Sequence, residues 1–294
     1  MPIVITHNDA DGIISATAVF LKYHDKRFSV YFATPNSLKL ALCKVIARHS
    51  LKDELFVFDL SPNKETAKIA SLFDKVTWID HHLWNDVDMQ NINAINKTEY
   101  PSAARLCAEY FGLNGEVFDL ADQIDKNDIK TEKAEYLRDL IDGIKFFYGK
   151  KSNLKLKFLA SKLAKGIDQI FNEENKRIVE IFRKWILDSS KEMEKEVKIF
   201  NNSKIIAILS TNKQIPARVV LKKLQEMNIK ADVVAVLYYH TKGKKIMTKI
   251  ELRTMTNFDV FSLAQKLGGG GHRYASGATI EGYFKEDDFL KIFD

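Results

Sequence analysis

Short, almost wholly apolar runs alternate with amphipathic stretches through the first part of the chain. Val4-Ile5-Thr6 is one such run, ending at His7, and a helical pattern follows from Gly12 to about Tyr23. Ser29-Val30-Tyr31-Phe32 is a second strand, with a helix expected from Leu38 to Ala47. Leu55-Phe56-Val57-Phe58 is a third, ending at Asp59, and Pro62 then suits the first turn of a helix, where a missing N–H costs nothing. Val76-Thr77-Trp78-Ile79 is a fourth, ending at Asp80-His81-His82. Strands this short and apolar, separated by helices, predict a parallel sheet covered on both faces. The fold class expected is therefore α/β, with an open, doubly wound, mostly parallel sheet. Such sheets hold their ligands beyond the carboxyl ends of the strands.

From about residue 100 to 170 the pattern turns helical. Pro101-Ser102 starts one helix and Gly112 stops it. A long polar helix is expected from Asn172 to Phe200, with Ile178, Phe182, Trp185, Met193 and Val197 forming one apolar stripe. That stripe should pack against a domain or a second copy of the chain. A smaller α/β domain follows, with strands at Ile205–Leu209 and Val233–Leu237 and a helix from about Pro216 to Met227. A hairpin turn at Thr241-Lys242-Gly243-Lys244 leads into a strand from Ile246 to Leu252. A short helix near Phe261–Leu267 runs into Gly268-Gly269-Gly270-Gly271-His272. The expected organisation is a first domain over residues 1–171, a linker helix over 172–199 and a second domain over 200–294.

Composition narrows the class. Of 294 residues 46% are apolar and 11% aromatic, which excludes a disordered chain. No apolar run approaches the ~20 residues of a membrane span, and the opening residues lack the basic, then apolar, pattern of a secretion signal. Cys43 and Cys107 form no C-x-x-C pair and cannot build a disulfide framework. A soluble cytoplasmic protein is expected. The net charge of +6 permits a phosphate-bearing partner without demanding one.

Acid and imidazole collect at three strand ends. The first strand leads into His7, Asp9 and Asp11 at alternating positions, which an extended chain would point the same way. Gly12 allows a sharp turn there. The third strand supplies Asp59, and the fourth supplies Asp80, His81 and His82. A lone Asp at such a place is ordinarily a helix cap, but several strand ends meeting at one sheet edge form a functional-site candidate. Two carboxylates ~4 Å apart repel by about 4 kcal/mol at an effective dielectric near 20, and no Lys or Arg lies within these motifs. Divalent cations are the simplest remedy. A carboxylate–imidazole set without thiolates suits manganese or a similar borderline cation, and the number of ligands suits two ions bridged by one carboxylate. The glycine run carries a second signal. Four backbone N–H groups followed by His272 and Arg273 could close on phosphate oxygens, with Arg253 adding a bidentate contact.

His7-Asn8-Asp9-Ala10-Asp11-Gly12, Asp59, Asp80-His81-His82 and the Gly268–Arg273 loop together resemble the DHH phosphoesterase superfamily with its C-terminal DHH-associated domain. Ser102-Ala103-Ala104 is similar to the family's third motif. The resemblance spans essentially the whole chain. It implies a bilobal enzyme, with a cleft between the lobes, that uses two manganese ions to hydrolyse phosphodiesters. Carried over by position, His7 and Asp9 would hold one ion, Asp11 and His81 the other, and Asp59 would bridge them. His82 would touch the scissile phosphate, with Asp80 supporting it. An aspartate from a later segment completes the second site in the family. Asp122, Asp125 and Asp128 compete for that place, Asp128 being the aligned choice and Asp125 the alternate. Arg253, Gly269, Gly270, Gly271, His272 and Arg273 would grip the sugar–phosphate part. The substrates implied are short RNA or DNA oligonucleotides or linear dinucleotides. A RecJ-like single-strand exonuclease and a pAp phosphatase are the alternatives, followed by a family II pyrophosphatase and a non-catalytic nucleotide-binding regulator. No membrane partner is expected, and a homodimer is left open.

Overall fold

The computed structural model describes residues 1–24, 27–201, 204–213 and 215–293, which divide into two compact units, Met1–Phe182 and Arg183–Asp294. In the first, the order is β1 (Ile3–His7), α1 (Ala10–Lys22), β2 (Ser29–Ala33), α2 (Leu38–Ile46), β3 (Glu54–Phe58), α3 (Lys64–Ala70), β4 (Lys75–Asp80) and β5 (Asn93–Asn96). Then come α4 (Ala103–Phe111), α5 (Glu116–Asp125), α6 (Glu132–Tyr148), α7 (Ser152–Leu163) and the start of α8 (Glu173–Glu196). The strands pair in parallel in the order β2-β1-β3-β4-β5.

Strand alternation splits the apolar side chains between two cores. Ile3, Ile5, Leu55, Val57 and Trp78 pack with Leu42, Val45 and Phe73 on one face. Val4, Phe56, Phe58 and Ile79 pack with Ile13, Val19, Leu106 and Phe118 on the other. Both faces are covered, which is why these strands read as continuous apolar runs. Strand β5 escapes that reading because Asn93-Ala94-Ile95-Asn96 lies at the sheet edge, partly exposed, and needs no apolar face. Pro62 does not open a helix. Asn63 caps α3, its side chain accepting from Thr66 N at 2.9 Å while Thr66 Oγ1 accepts from Asn63 N, so this reciprocal cap fixes the start beyond the proline. The α4 boundaries follow the sequence expectation, with Ser102 as cap and Gly112 at φ 66° as stop.

Helix α8 is shorter than its polar pattern suggests. It ends at Glu196, and Lys198–Asn201 instead forms strand β6, antiparallel to β7 (Ile205–Thr211). Its apolar stripe serves two cores. Ile178 and Val179 pack in the first unit, whereas Trp185, Ile186, Met193 and Val197 pack in the second.

The second unit continues with α9 (Ala217–Glu226), β8 (Val233–Lys242), β9 (Lys245–Arg253), α10 (Val260–Lys266), β10 (Gly270–His272), β11 (Ala275–Glu281) and α11 (Glu286–Leu290). The sheet order is β10-β11-β9-β8-β7-β6, with β7 and β8 parallel and the other pairs antiparallel. Ile208, Ala235, Leu237, Ile250 and Leu252 pack with Val260, Leu263 and Phe289 on one face. Ala207, Leu209, Val234 and Val236 pack with Val220 and Leu224 of α9 on the other. The glycine run is a loop only in part, since Gly270 to His272 pair with β11 as an edge strand. Among the described residues no helix is long and apolar enough to cross a membrane.

Candidate metal centre

The convergence of His7, Asp9 and Asp11 does not come from an extended strand. β1 stops at His7, Asp9 caps α1 through a bond from Gly12 N at 3.1 Å, and Asp11 already lies in the first helical turn. The turn is tight: a Cβ on Gly12 would sit 2.2 Å from His7 O, so only glycine fits. Thr6 Oγ1, buried beneath it, donates to Gly12 O at 2.8 Å. His7 Nδ1 meets Asp9 Oδ2 at 2.6 Å and Asp59 Oδ2 at 3.7 Å.

Asp11 is buried and carries the motif's longest reach. Its carboxyl oxygens accept from Ala103 N and Ala104 N, each at 2.7 Å, across more than ninety residues of chain. The N-terminus of α4 thereby holds Asp11 in place, which explains the Ser102-Ala103-Ala104 segment physically. Asp59 follows β3 at φ 54°, a left-handed conformation that costs a non-glycine residue about 1 kcal/mol or more. Its Oδ2 is buried with no hydrogen-bond partner among the described residues.

Asp80 is fully buried and saturated. It accepts from Ser61 Oγ at 3.1 Å, Trp84 Nε1 at 2.6 Å, His81 N at 2.9 Å and His82 Nδ1 at 2.6 Å. Asn96 at the end of β5 donates to Asp80 O and His82 O, closing the loop after β4. Tyr100 O lies 3.2 Å from His81 Nδ1, which directs His81 Nε2 toward Asp11 Oδ2 at 3.4 Å and Asp125 Oδ2 at 3.5 Å. Ser61, Trp84, Asn96 and Tyr100 were not read from the sequence.

The electrostatics sort these groups. Burial raises Asp59 and Asp11 well above the carboxylate range, and neighbouring carboxylates push them further. Burial likewise raises Asp125 to about 7, with Asp9 adding to it. Burial works to raise Asp9 and Asp80 too, but His7 holds Asp9 low and His82 holds Asp80 low. Burial works to lower His82, yet Asp80 outweighs it and lifts the imidazole to about 9, so it is a cation at neutral pH. Burial lowers His81, which favours the neutral, ligating form.

These side chains fit divalent cations. Ligand atoms of His7, Asp9 and Asp59 lie within 4.8 Å of one another, and so do those of Asp11, Asp59 and His81. Asp59 belongs to both groups, and its buried Oδ2, without a hydrogen-bond partner among the described residues, fits a cation best. Asp80 and His82 also sit close to Asp59, but the oxygens of Asp80 are already satisfied, so it supports rather than ligates. Asp128 does not reach this cluster. Its side chain is 62% exposed and pairs with Lys130 at 2.9 Å, because α5 ends at Asp125 and the chain turns outward. Asp125, in the last turn of α5, takes that place beside His81. Asp122 is engaged by Ser102 and Arg105.

In the second unit, Arg253, Ala275 and His272 are cross-strand partners and share a sheet face, as do Glu251, Gly277 and Gly270 one row away. The glycines divide by cause. Gly268 has φ 71° and its N–H bonds to Gln265 O, while Gly269 N bonds to Ala264 O. Both N–H groups therefore close the end of α10 instead of standing open for phosphate. A Cβ on Gly269 would lie 2.1 Å from Gly277 O, and Gly271 has φ 131°. Gly270 alone in the run has no structural demand, since a Cβ there would meet nothing within 4 Å. Its bare backbone fits the close approach of a ligand. Arg273 lies at the exposed hairpin tip, where it donates to Asn257 O at 3.2 Å. Glu251 accepts from Lys249 Nζ at 2.7 Å and from Ala217 N at 3.1 Å. Burial works to raise it, but Lys249 and Arg253 outweigh that and hold it at about 2.

Comparison with curated protein sequences gives no match. Residues 201–294 match the DHHA1 domain family. Among solved structures, the pGpG-specific phosphodiesterase PggH from Vibrio cholerae is similar over 100% of this chain and 99% of its own, at 17% identity and TM-score 0.62. The DHH domain of a protein described as a member of a family of ribosomal proteins is similar over 99% of this chain and 85% of its own, at 15% identity and TM-score 0.71. RecJ in complex with Mn2+ from Thermus thermophilus is similar over 99% of this chain but only 50% of its own, at 13% identity and TM-score 0.56. The chain thus shares the fold of these structures, and its residues 201–294 match the DHHA1 domain family.

Proposed function

We propose that the protein is a divalent-metal-dependent phosphodiesterase that hydrolyses short oligonucleotides or linear dinucleotides to mononucleotides. The observation that carries this reading is Asp59, a buried carboxyl shared by two imidazole–carboxylate groups and left with an unpartnered oxygen. His7, Asp9 and Asp59 would hold one cation, and Asp11, Asp59, His81 and Asp125 a second. Bound divalent cations, manganese by the softness of this donor set, supply the Lewis acidity that water attack on a phosphodiester needs. The remaining roles belong to the protein. His82 keeps its proton at neutral pH and can donate Nε2–H to a phosphoryl oxygen as charge builds there. Asp80 holds His82 by Nδ1, and Ser61 and Trp84 hold Asp80. In the second unit Arg253 and His272 bind phosphate, and Gly270 lets the nucleotide approach the backbone.

The similarity to a structure named as a pGpG-specific phosphodiesterase supports a dinucleotide as the first substrate to try. The experiment compares a linear dinucleotide, a tetranucleotide, a long single strand, pAp and pyrophosphate, each with Mn2+ and with EDTA. Mononucleotide release from the two short substrates, abolished by EDTA, is expected. Hydrolysis that survives EDTA overturns the metal reading. A preference for the long strand makes the chain RecJ-like, and a preference for pAp makes it a monophosphatase.

A further inference from the structure

We propose that the sheet face of the second unit extends beyond the phosphate grip into a base-stacking platform formed by Tyr238 and His240, which binds a further nucleotide of a single-stranded oligonucleotide. The inference rests on the reading above that the nucleotide is held by Arg253 and His272, and it adds what selects substrate length.

Tyr238 and His240 lie two residues apart on β8 and project from the same face. Their rings are stacked, 5.3 Å between centroids and 9° between planes. Both residues are half-buried. His240 Nδ1 is buried with no hydrogen-bond partner among the described residues. The opposite face of β8 supplies the apolar core through Ala235 and Leu237, and α9 covers Val234 and Val236. Neither core takes in Tyr238 or His240. An ordered aromatic pair left outside both cores is a surface suited to π-stacking.

Its position points to a nucleic-acid ligand. Cross-strand register sets Val234, Arg253, Ala275 and His272 in one row, Val236, Glu251, Gly277 and Gly270 in the next, and Tyr238, Lys249 and Thr279 in the third. Rows two residues apart are separated by about 7 Å, so the phosphate-binding row and the aromatic row are about 13 Å apart. A ligand anchored at Arg253 must extend past a first nucleotide to reach Tyr238. In the row between, α9 covers Val236, and its first residue, Ala217, donates to Glu251, whereas Gly277 and Gly270 leave the β11–β10 side of the row without side chains, which is the side a ligand would follow. Lys249, the cross-strand neighbour of Tyr238, is paired with Glu251 at 2.7 Å, so the cation assigned to a phosphate is Arg253 and not Lys249. Aromatic surface flanked by cations is how sequence-tolerant single-strand binding is built.

The test uses the full chain, EDTA-treated so that binding is read without turnover, and oligoribonucleotides carrying 2-aminopurine at the terminal base. Wild type should bind a tetranucleotide with fluorescence quenching. Tyr238→Ala should weaken tetranucleotide binding about ten- to a hundredfold, with dinucleotide affinity changed less than about twofold. Tyr238→Phe, which keeps the ring, should restore both affinity and quenching, whereas Tyr238→Leu, which keeps the apolar bulk, should not. Equal losses on both lengths, rescue by leucine, or no loss on the tetranucleotide would each overturn the platform, as would failure of wild type to bind the tetranucleotide. A tetranucleotide that is bound and quenched but never cleaved with Mn2+ leaves the platform standing and overturns the phosphodiesterase reading instead.

Discussion

The two units bury carboxyl groups in opposite ways. In the second unit Glu251 has its counter-charges built in. Lys249 donates to it at 2.7 Å, Arg253 stands beside it, and the α9 N-terminus caps it, so it stays ionised down to about pH 2. In the first unit Asp11 and Asp59 are more deeply buried than the half-buried Glu251, but among the described residues neither has a lysine or arginine ion pair, and other carboxylates crowd them. A fold that supplies cations to one carboxylate and withholds them from two others leaves room at the second place for a cation from solution. The contrast separates a carboxylate that organises the fold from the two proposed as metal ligands, without reference to any relative.

The largest expected effect comes from removing the shared ligand. Asp59→Asn should lower the Mn2+-dependent hydrolysis rate by at least about a thousandfold. Wild type should melt at higher temperature as Mn2+ is added, by mass action, and the variant should not. A variant that kept the full Mn2+-dependent rise would break the comparison. Next comes the choice between two aspartates. Asp125→Asn should weaken metal affinity, read by calorimetry, about ten- to a hundredfold, whereas Asp128→Asn should leave it within about twofold. The reverse result would restore the sequence-level alignment.

Glu251 offers a pH test of the other arm. Its value in the fold lies below the unfolded value of about 4.3. The stability it contributes is therefore complete above that pH and is lost as pH falls toward 2. Wild type should lose about 2–3 kcal/mol more than Glu251→Gln between pH 6 and pH 2.5 in denaturant titrations. Parallel curves would show that Lys249 and Arg253 do not hold it. The smallest effect separates two neighbouring glycines. Gly269→Ala should destabilise the second unit by about 1–3 kcal/mol through its clash with Gly277 O. Gly270→Ala should leave melting unchanged and weaken nucleotide binding only several-fold.

Much of the first unit was legible because its strands are buried on both faces, so apolar runs and strand ends stand out. His7, Asp9, Asp11, Asp59, Asp80, His81 and His82 could be named as one group from that alone. Strand β5 was not legible, because an exposed edge imposes no apolar pattern, and with it went Asn96 and its hold on the loop after β4. Asp128 was chosen over Asp125 in sequence, since three acids spaced three apart in a helix-ending segment differ only in where the helix stops. The glycine run suggested a phosphate loop, but composition cannot say which N–H groups the preceding helix will use for its own cap. Gly268 and Gly269 are spent there.

Local sequence determined the α/β alternation, the helix caps at Ser102 and Gly112, and the kinds of side chain brought to the strand ends. Those follow from side-chain periodicity and backbone preference, which act over a few residues. Tertiary structure decided which aspartate stands beside His81, that α4 holds Asp11 by two amide bonds, that Asp59 Oδ2 has no hydrogen-bond partner among the described residues, and that Tyr238 and His240 share a face with Arg253. Each depends on groups far apart in the chain meeting within a few ångströms, and on burial that changes what a charge costs. Neither is written in any short stretch of residues.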